Sequence, residues 1–146
     1  MISERILTYG PPGSGKTYAW LTMADLMDNR TFWVLDTDAS VARSMEPDFK
    51  HLKNVRLTEG QDWAACEKFV DDVSKNAKPG DWVVIDFLCS VWGFVQAYYV
   101  SEIFHKGISD YFLEARKELK TGAKTLGALK GWLDWPVINK IYDSFM

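Results

Sequence analysis

The chain is poor in cysteine, histidine and arginine and carries no excess of positive charge. Cys66 and Cys89 are its two cysteines. With no disulfide framework and apolar helical surroundings, both read as buried free thiols, which fits a reducing compartment. His51 and His105 are far apart and have no Cys or carboxylate at ligand spacing, so a zinc site is not expected. A net charge of −3 gives no global attraction to nucleic acid. The most apolar run, Phe87 to Val100, is about 14 residues and includes Ser90 and Gln96. A bilayer needs about 20, so this run reads as a buried or interface helix and no membrane partner is expected. No secretory signal is read at the N-terminus, and a cytoplasmic location is expected. Internal repeats and low-complexity segments are missing too.

The 146 residues suit one domain, 1–146. A chain this size buries roughly 68–70% of its unfolded surface and needs no staple. Aromatics are plentiful, with seven Trp, six Tyr and eight Phe.

The chain is organised around Gly10-Pro11-Pro12-Gly13-Ser14-Gly15-Lys16-Thr17. It meets the pattern G-x-x-x-x-G-K-[ST] at every fixed position. Arg5 to Tyr9 before it predict a short buried strand, with Ile6–Tyr9 as its core. Thr17 to Asp28 after it predict a helix. The glycines let the backbone curl and approach a ligand closely. Successive N–H groups then form a nest for an anion, reinforced by the helix N-terminus. Lys16 supplies a cation for the β- and γ-phosphates, and the Thr17 hydroxyl is placed to ligate Mg²⁺. Tyr18 and Trp20 follow directly. Helix packing is the reading preferred for both rings over contact with a base, neither is assigned to base recognition, and Tyr18 is counted with the loop.

Further along, apolar runs alternate with helical periodicity. Thr31–Asp36 predicts a strand buried on both faces. A short helix to about Met45 follows, stopped by Pro47. Asn54–Glu59 alternates as a third strand, and Gln61–Ala77 carries Trp63, Cys66, Phe69, Val70 and Val73 at helical spacing. Asp81–Asp86 is the next apolar run ending in an acid. The alternation argues for a three-layer α/β fold with a mostly parallel sheet. Ligands in such folds sit beyond the carboxyl ends of the strands. The loop, Asp36, Asp38 and Asp86 meet there. Residues 91–146 read as a helical extension of the 1–90 core, with helices at 88–104 and 109–120 and a flexible basic loop over 116–131. A last helix is predicted from Asp134 as N-cap with Pro136 in its first turn.

Asp86 closes Trp82-Val83-Val84-Ile85-Asp86, the form of a strand whose acid holds Mg²⁺ directly or through water. One such carboxylate suffices, since Mg²⁺ keeps several waters. Hydrolysis also needs a group to orient water. Phe87, not a Glu, follows Asp86, so Asp38 is the candidate general base and Asp36 the second choice. The other reading makes one of them a helix cap and leaves the other solvated.

These residues resemble the RecA-like ATPase core, and most of all its phage-encoded nucleotide-binding members. Gly10–Thr17 matches the Walker A loop, Asp86 the Walker B acid, and Asp38 the place of the catalytic carboxylate, usually Glu. The resemblance covers roughly residues 1–90. It implies a Mg²⁺-dependent ATPase that works as a homo-oligomer in DNA recombination, replication or packaging, in the host cytoplasm if phage-encoded. Relatives continue with further strands that carry a polar sensor and an Arg or Lys finger. This chain stops earlier, which reads as a truncated domain or a binding half. ATP over GTP rests on the resemblance, and no Asn-Lys-x-Asp segment contradicts it.

Two other functions stay open. One is a small-molecule or nucleotide kinase with 116–130 as a lid, although no acceptor segment of the Asp-x-x-Pro-Arg kind is present. The other is a nucleotide-binding assembly subunit with little turnover. Arg116, Lys117, Lys120, Lys124 and Lys130 offer a path for a DNA backbone; a solvated loop is the competing reading.

Overall fold

The computed structural model describes the backbone of residues 4–120 and 126–146, and the side chains of 4–117 and 134–146. Three strands, β1 (Phe32–Asp36), β2 (Val55–Glu59) and β3 (Trp82–Asp86), form a parallel sheet in the order β2-β1-β3. The register sets Asp36 beside Glu59 on one side and Asp86 on the other. Parallel neighbours need crossover connections. Here α2 (Val41–Met45) and α3 (Trp63–Asn76) lie between successive strands in sequence, and α1 (Lys16–Leu26) precedes β1. After β3 come α4 (Leu88–Phe104), α5 (Ile108–Lys120) and α6 (Leu126–Phe145).

Alternation along the strands sends side chains to two apolar layers. Phe32 and Val34 are buried with Ala24 of α1 and Val41 of α2, and Trp82 and Val84 pack against them. Leu35 is buried on the opposite face with Trp63, Cys66 and Phe69 of α3, Val91, Val95 and Tyr99 of α4, and Ile138 of α6. Helices on both faces of a parallel sheet are the three-layer α/β arrangement expected. Central β1 is correspondingly the most buried strand.

Side chains tie the layers at the strands' amino ends. Asp81 accepts from the backbone N–H of Thr31 (3.1 Å) and Lys78 (2.9 Å) and from the Trp33 indole (3.2 Å). Asn54 Nδ2 reaches the carbonyls of Ala24, Met27 and Arg30 and so holds the end of α1 at the start of β2.

Several expectations are corrected. Ile6–Tyr9 is not a strand: residues 4–10 have no regular structure, and Ile6, Leu7 and Tyr9 are 61%, 76% and 90% exposed. The sheet therefore has three strands among the described residues. A run of four residues makes few hydrogen bonds and buries little apolar surface to set against the entropy of ordering it, and β3 is left, among the described residues, as an unpaired edge with Val83 51% exposed.

The last helix begins at Leu126, not Asp134. Residues 126–131, read as loop, are therefore helical, and 121–125 lie outside the described residues. Asp134 is not a cap; its Oδ1 accepts from Tyr99 Oη at 2.8 Å. Trp135 stacks on Trp92 at 6.0 Å, and Ile138 is buried in the core. Packing on α4 on both sides of Pro136 holds the helix through a residue that would otherwise interrupt it.

Cys89 is exposed, whereas Cys66 is buried. Cys89 sits two residues before buried Val91 on α4, so it points to nearly the opposite side of the helix. Burial, followed by the neighbouring charges of Asp62 and Glu67, pushes the Cys66 thiol up to about 11. It stays protonated and unreactive at neutral pH.

Candidate nucleotide site

The loop at 10–15 is exposed and leads directly into α1. Gly13 and Gly15 take φ values of 78° and 84°, a left-handed conformation that a side chain would strain. Gly15 is the N-cap residue of α1, and the first bond of the helix runs from the Ala19 N–H to the Gly15 carbonyl. The N–H groups of Lys16, Thr17 and Tyr18 are left outside the ladder, as at any helix start. No acid occupies the first turn and no side chain caps it. The positive end of the helix is thus uncompensated, the condition for taking an anion.

Lys16 Nζ folds back on its own loop, donating to the carbonyls of Gly10 and Pro11 at 2.9 Å each and approaching Ser14 Oγ at 3.5 Å. These contacts give the ammonium partners and hold it over the curl of the loop. Thr17 is half-buried, and among the described residues its hydroxyl has no hydrogen-bond partner. Tyr18 is 53% exposed and packs its ring edge-on against Phe49 at 4.8 Å.

Asp86 stands at the carboxyl end of β3, half-buried. Its Oδ2 accepts from Trp20 Nε1 of α1 at 2.9 Å. Among the described residues this is the one side-chain hydrogen bond that joins α1 to β3. Thr17 and Trp20, three residues apart, share a face of α1. The loop helix and the strand-ending acid predicted to cooperate are therefore brought together.

The two other acids separate in role. Asp36 is fully buried. Its oxygens accept from the backbone N–H of Asp38 (3.3 Å), Ser40 (3.3 Å) and Val41 (2.9 Å). It builds the turn into α2 and is not available as a base. Asp38 is exposed, and its Oδ1 accepts from the Ser40 N–H at 3.1 Å.

Thr37 and Phe87 were not singled out by the sequence. Thr37 is buried and places Oγ1 2.9 Å from the Asp86 carbonyl and 2.8 Å from that of Phe87. Phe87 holds φ 69° and Ala39 φ 57°. Two non-glycine residues in the left-handed region thus follow the two strands that end in Asp, β1 and β3. Such strain collects where surrounding structure over-determines the backbone. A threonine between two aspartates gives no sequence signal of its own. Trp20 was read for base contact or packing, not as a partner of Asp86.

Among the described residues no group of three or more His, Cys, Asp or Glu side chains gathers as a metal site. Mg²⁺ does not require one, since a single carboxylate plus phosphate oxygens and water satisfies it. An Asp86 carboxylate with one N–H partner, together with an uncommitted Thr17 hydroxyl, fits that donor set. Among the described residues, no helix is long and apolar enough to cross a membrane.

A glycine-rich loop opening a helix on a three-layer parallel α/β core defines a P-loop nucleotide-binding domain. The chain belongs to the AAA domain family, whose model matches residues 3–111, and so to the nucleotide-binding ATPase domains. The match includes the loop, all three strands and α1 to α4. No curated protein and no solved structure matches the chain.

Proposed function

We propose that this protein binds ATP with Mg²⁺ at residues 10–17 and Asp86 and hydrolyses it as a homo-oligomeric module of a phage-type DNA recombination, replication or packaging machine. The observation that carries the site is the Trp20–Asp86 bond, which joins the helix of the phosphate loop to the strand that ends in the metal-binding acid. The backbone of Gly10, Pro11, Pro12, Gly13, Ser14 and Gly15 wraps the phosphates, and the free N–H groups of Lys16, Thr17 and Tyr18 meet their charge. Lys16 exchanges its loop carbonyls for phosphate oxygens. Thr17 and Asp86 hold the cation, which when bound neutralises charge on the β- and γ-phosphates. Asp38 is the residue assigned to orient water, since Asp36 is committed to the backbone. DNA would run along the basic residues of 116–130. Arg116 and Lys117 lie on α5; the side chains of Lys120, Lys124 and Lys130 lie outside the described residues.

A second reading, a nucleotide switch with little turnover, is favoured by one observation. The residue after Asp86 is a strained, 49% exposed Phe87, so no carboxylate stands there to activate water.

Thermal unfolding with an ATP analogue tests the site. Ligand at 100 times its Kd should stabilise the parent by about 2.7 kcal/mol, and Lys16→Ala should lose that gain. An undiminished gain in Lys16→Ala would place the nucleotide elsewhere. ATP turnover assayed with and without DNA, and with acceptor nucleotides, separates hydrolysis, transfer and simple binding.

A further inference from the structure

The geometry points to Trp20 as the positioning residue of the metal site: its indole N–H holds Asp86 Oδ2 and leaves Oδ1 for the cation. The inference rests on the nucleotide-site reading above and adds to it a residue that neither the loop pattern nor the acid-ending strand contains.

Trp20 is half-buried and packs against the apolar cluster of Ala24, Phe32, Val34 and Val41. Its ring is thus held by apolar contacts while its one polar atom reaches Asp86 at 2.9 Å. Among the described residues the carboxylate has no other hydrogen-bond partner, so one bond decides which oxygen faces away from α1. Outer partners of this kind set the orientation of a ligating carboxylate, and losing one typically costs about 10–100-fold in metal affinity. Trp20 also lies one helical turn beyond Lys16 and Thr17.

Thr37 holds the same strand end from the opposite side. Its N–H (3.2 Å) and Oγ1 (2.9 Å) both bond the Asp86 carbonyl. The backbone of Asp86 is fixed by β1 and its side chain by α1. Removing the indole N–H frees the carboxylate without moving the strand.

The test titrates Mg²⁺ into the full chain saturated with a non-hydrolysable ATP analogue, read by thermal shift. Trp20→Phe keeps an aromatic, though smaller, side chain and loses the donor. Its Mg²⁺ midpoint should rise about tenfold or more, with analogue affinity in EDTA unchanged. An unchanged midpoint overturns the inference, as does an equal loss of analogue affinity in EDTA, which would mark Trp20 as part of the helix packing alone. In the parent protein the Trp20 indole ¹H–¹⁵N signal should move when Mg²⁺ is added to the analogue complex. A signal that does not move overturns the inference without recourse to any variant. If the parent binds no analogue with or without Mg²⁺, the nucleotide-site reading fails and this inference with it. Binding with a Mg²⁺ response that ignores Trp20 fails the inference alone.

Discussion

The Thr37 hydroxyl lies 2.8 Å from the carbonyl of Phe87, fifty residues away in sequence and held at φ 69°. This contact pins the left-handed residue that follows Asp86, and it joins the carboxyl ends of β1 and β3 at the candidate site. Thr37→Val keeps the shape and removes the donor. We expect a loss of about 1 kcal/mol, the net worth of one buried hydrogen bond. A urea-unfolding series should show the midpoint fall with an unchanged slope. An unaltered midpoint would mean that Phe87 is held by packing alone.

Asp36 is the more costly position. It is fully buried and accepts from three backbone N–H groups. Asp36→Ala leaves the Val41 and Asp38 N–H groups without that partner, while the Ser40 N–H keeps Asp38 Oδ1, and each unsatisfied buried group costs about 1–3 kcal/mol. The variant should lose several kcal/mol or fail to fold. A fully stable Asp36→Ala protein with altered turnover would instead make Asp36 a functional acid.

Asp38 should behave in the opposite way. Its side chain is exposed, and the bond it accepts from the Ser40 N–H closes a local turn. Asp38→Asn should leave stability within about 0.5 kcal/mol, as for most surface changes, and keep nucleotide binding. ATP turnover should fall by about 10²–10⁴, the usual share of a general base. Unchanged turnover would move the base to another residue.

Asp81 sets a pH dependence. Burial acts to raise its pKa. The Lys78 and Thr31 N–H groups, the Trp33 indole and the Lys78 charge outweigh this and hold it below its usual 3.8. A carboxylate with a lowered folded-state pKa contributes stability above its unfolded value and loses it as pH falls through the folded one. The protein should therefore lose stability as pH drops below about 4. Asp81→Asn should flatten that part of the profile in acid-unfolding curves. An identical acid limb in the variant would show that Asp81 is not the group responsible.

Much of the site was legible because it is local in the chain. The loop needs particular residue types at fixed spacing, and the glycine conformations and helix start follow from chemistry within ten residues. The runs ending in Asp36 and Asp86 were legible too, since strands packed between helix layers are apolar along most of their length. The expectation at Ile6–Tyr9 failed for a non-local reason. An apolar run becomes a strand only where it pairs with an edge and buries its side chains, and Ile6, Leu7 and Tyr9 stay exposed. Pro136 misled in the reverse sense: a local helix breaker is overridden by α4 packing on both sides of it.

The sequence by itself determined the phosphate loop, the alternation of strands and helices and the acids at two strand ends, because each is written in spacing and hydrophobic pattern. Only the tertiary structure decided what each acid does. Asp36, Asp38 and Asp86 are the same side chain at nearly the same level of the sheet. Burial among backbone N–H groups makes the first structural, the second is exposed with one local bond from the Ser40 N–H, and an indole from α1 claims one oxygen of the third. Those partners come from elements far apart in the chain, and no local pattern encodes their meeting.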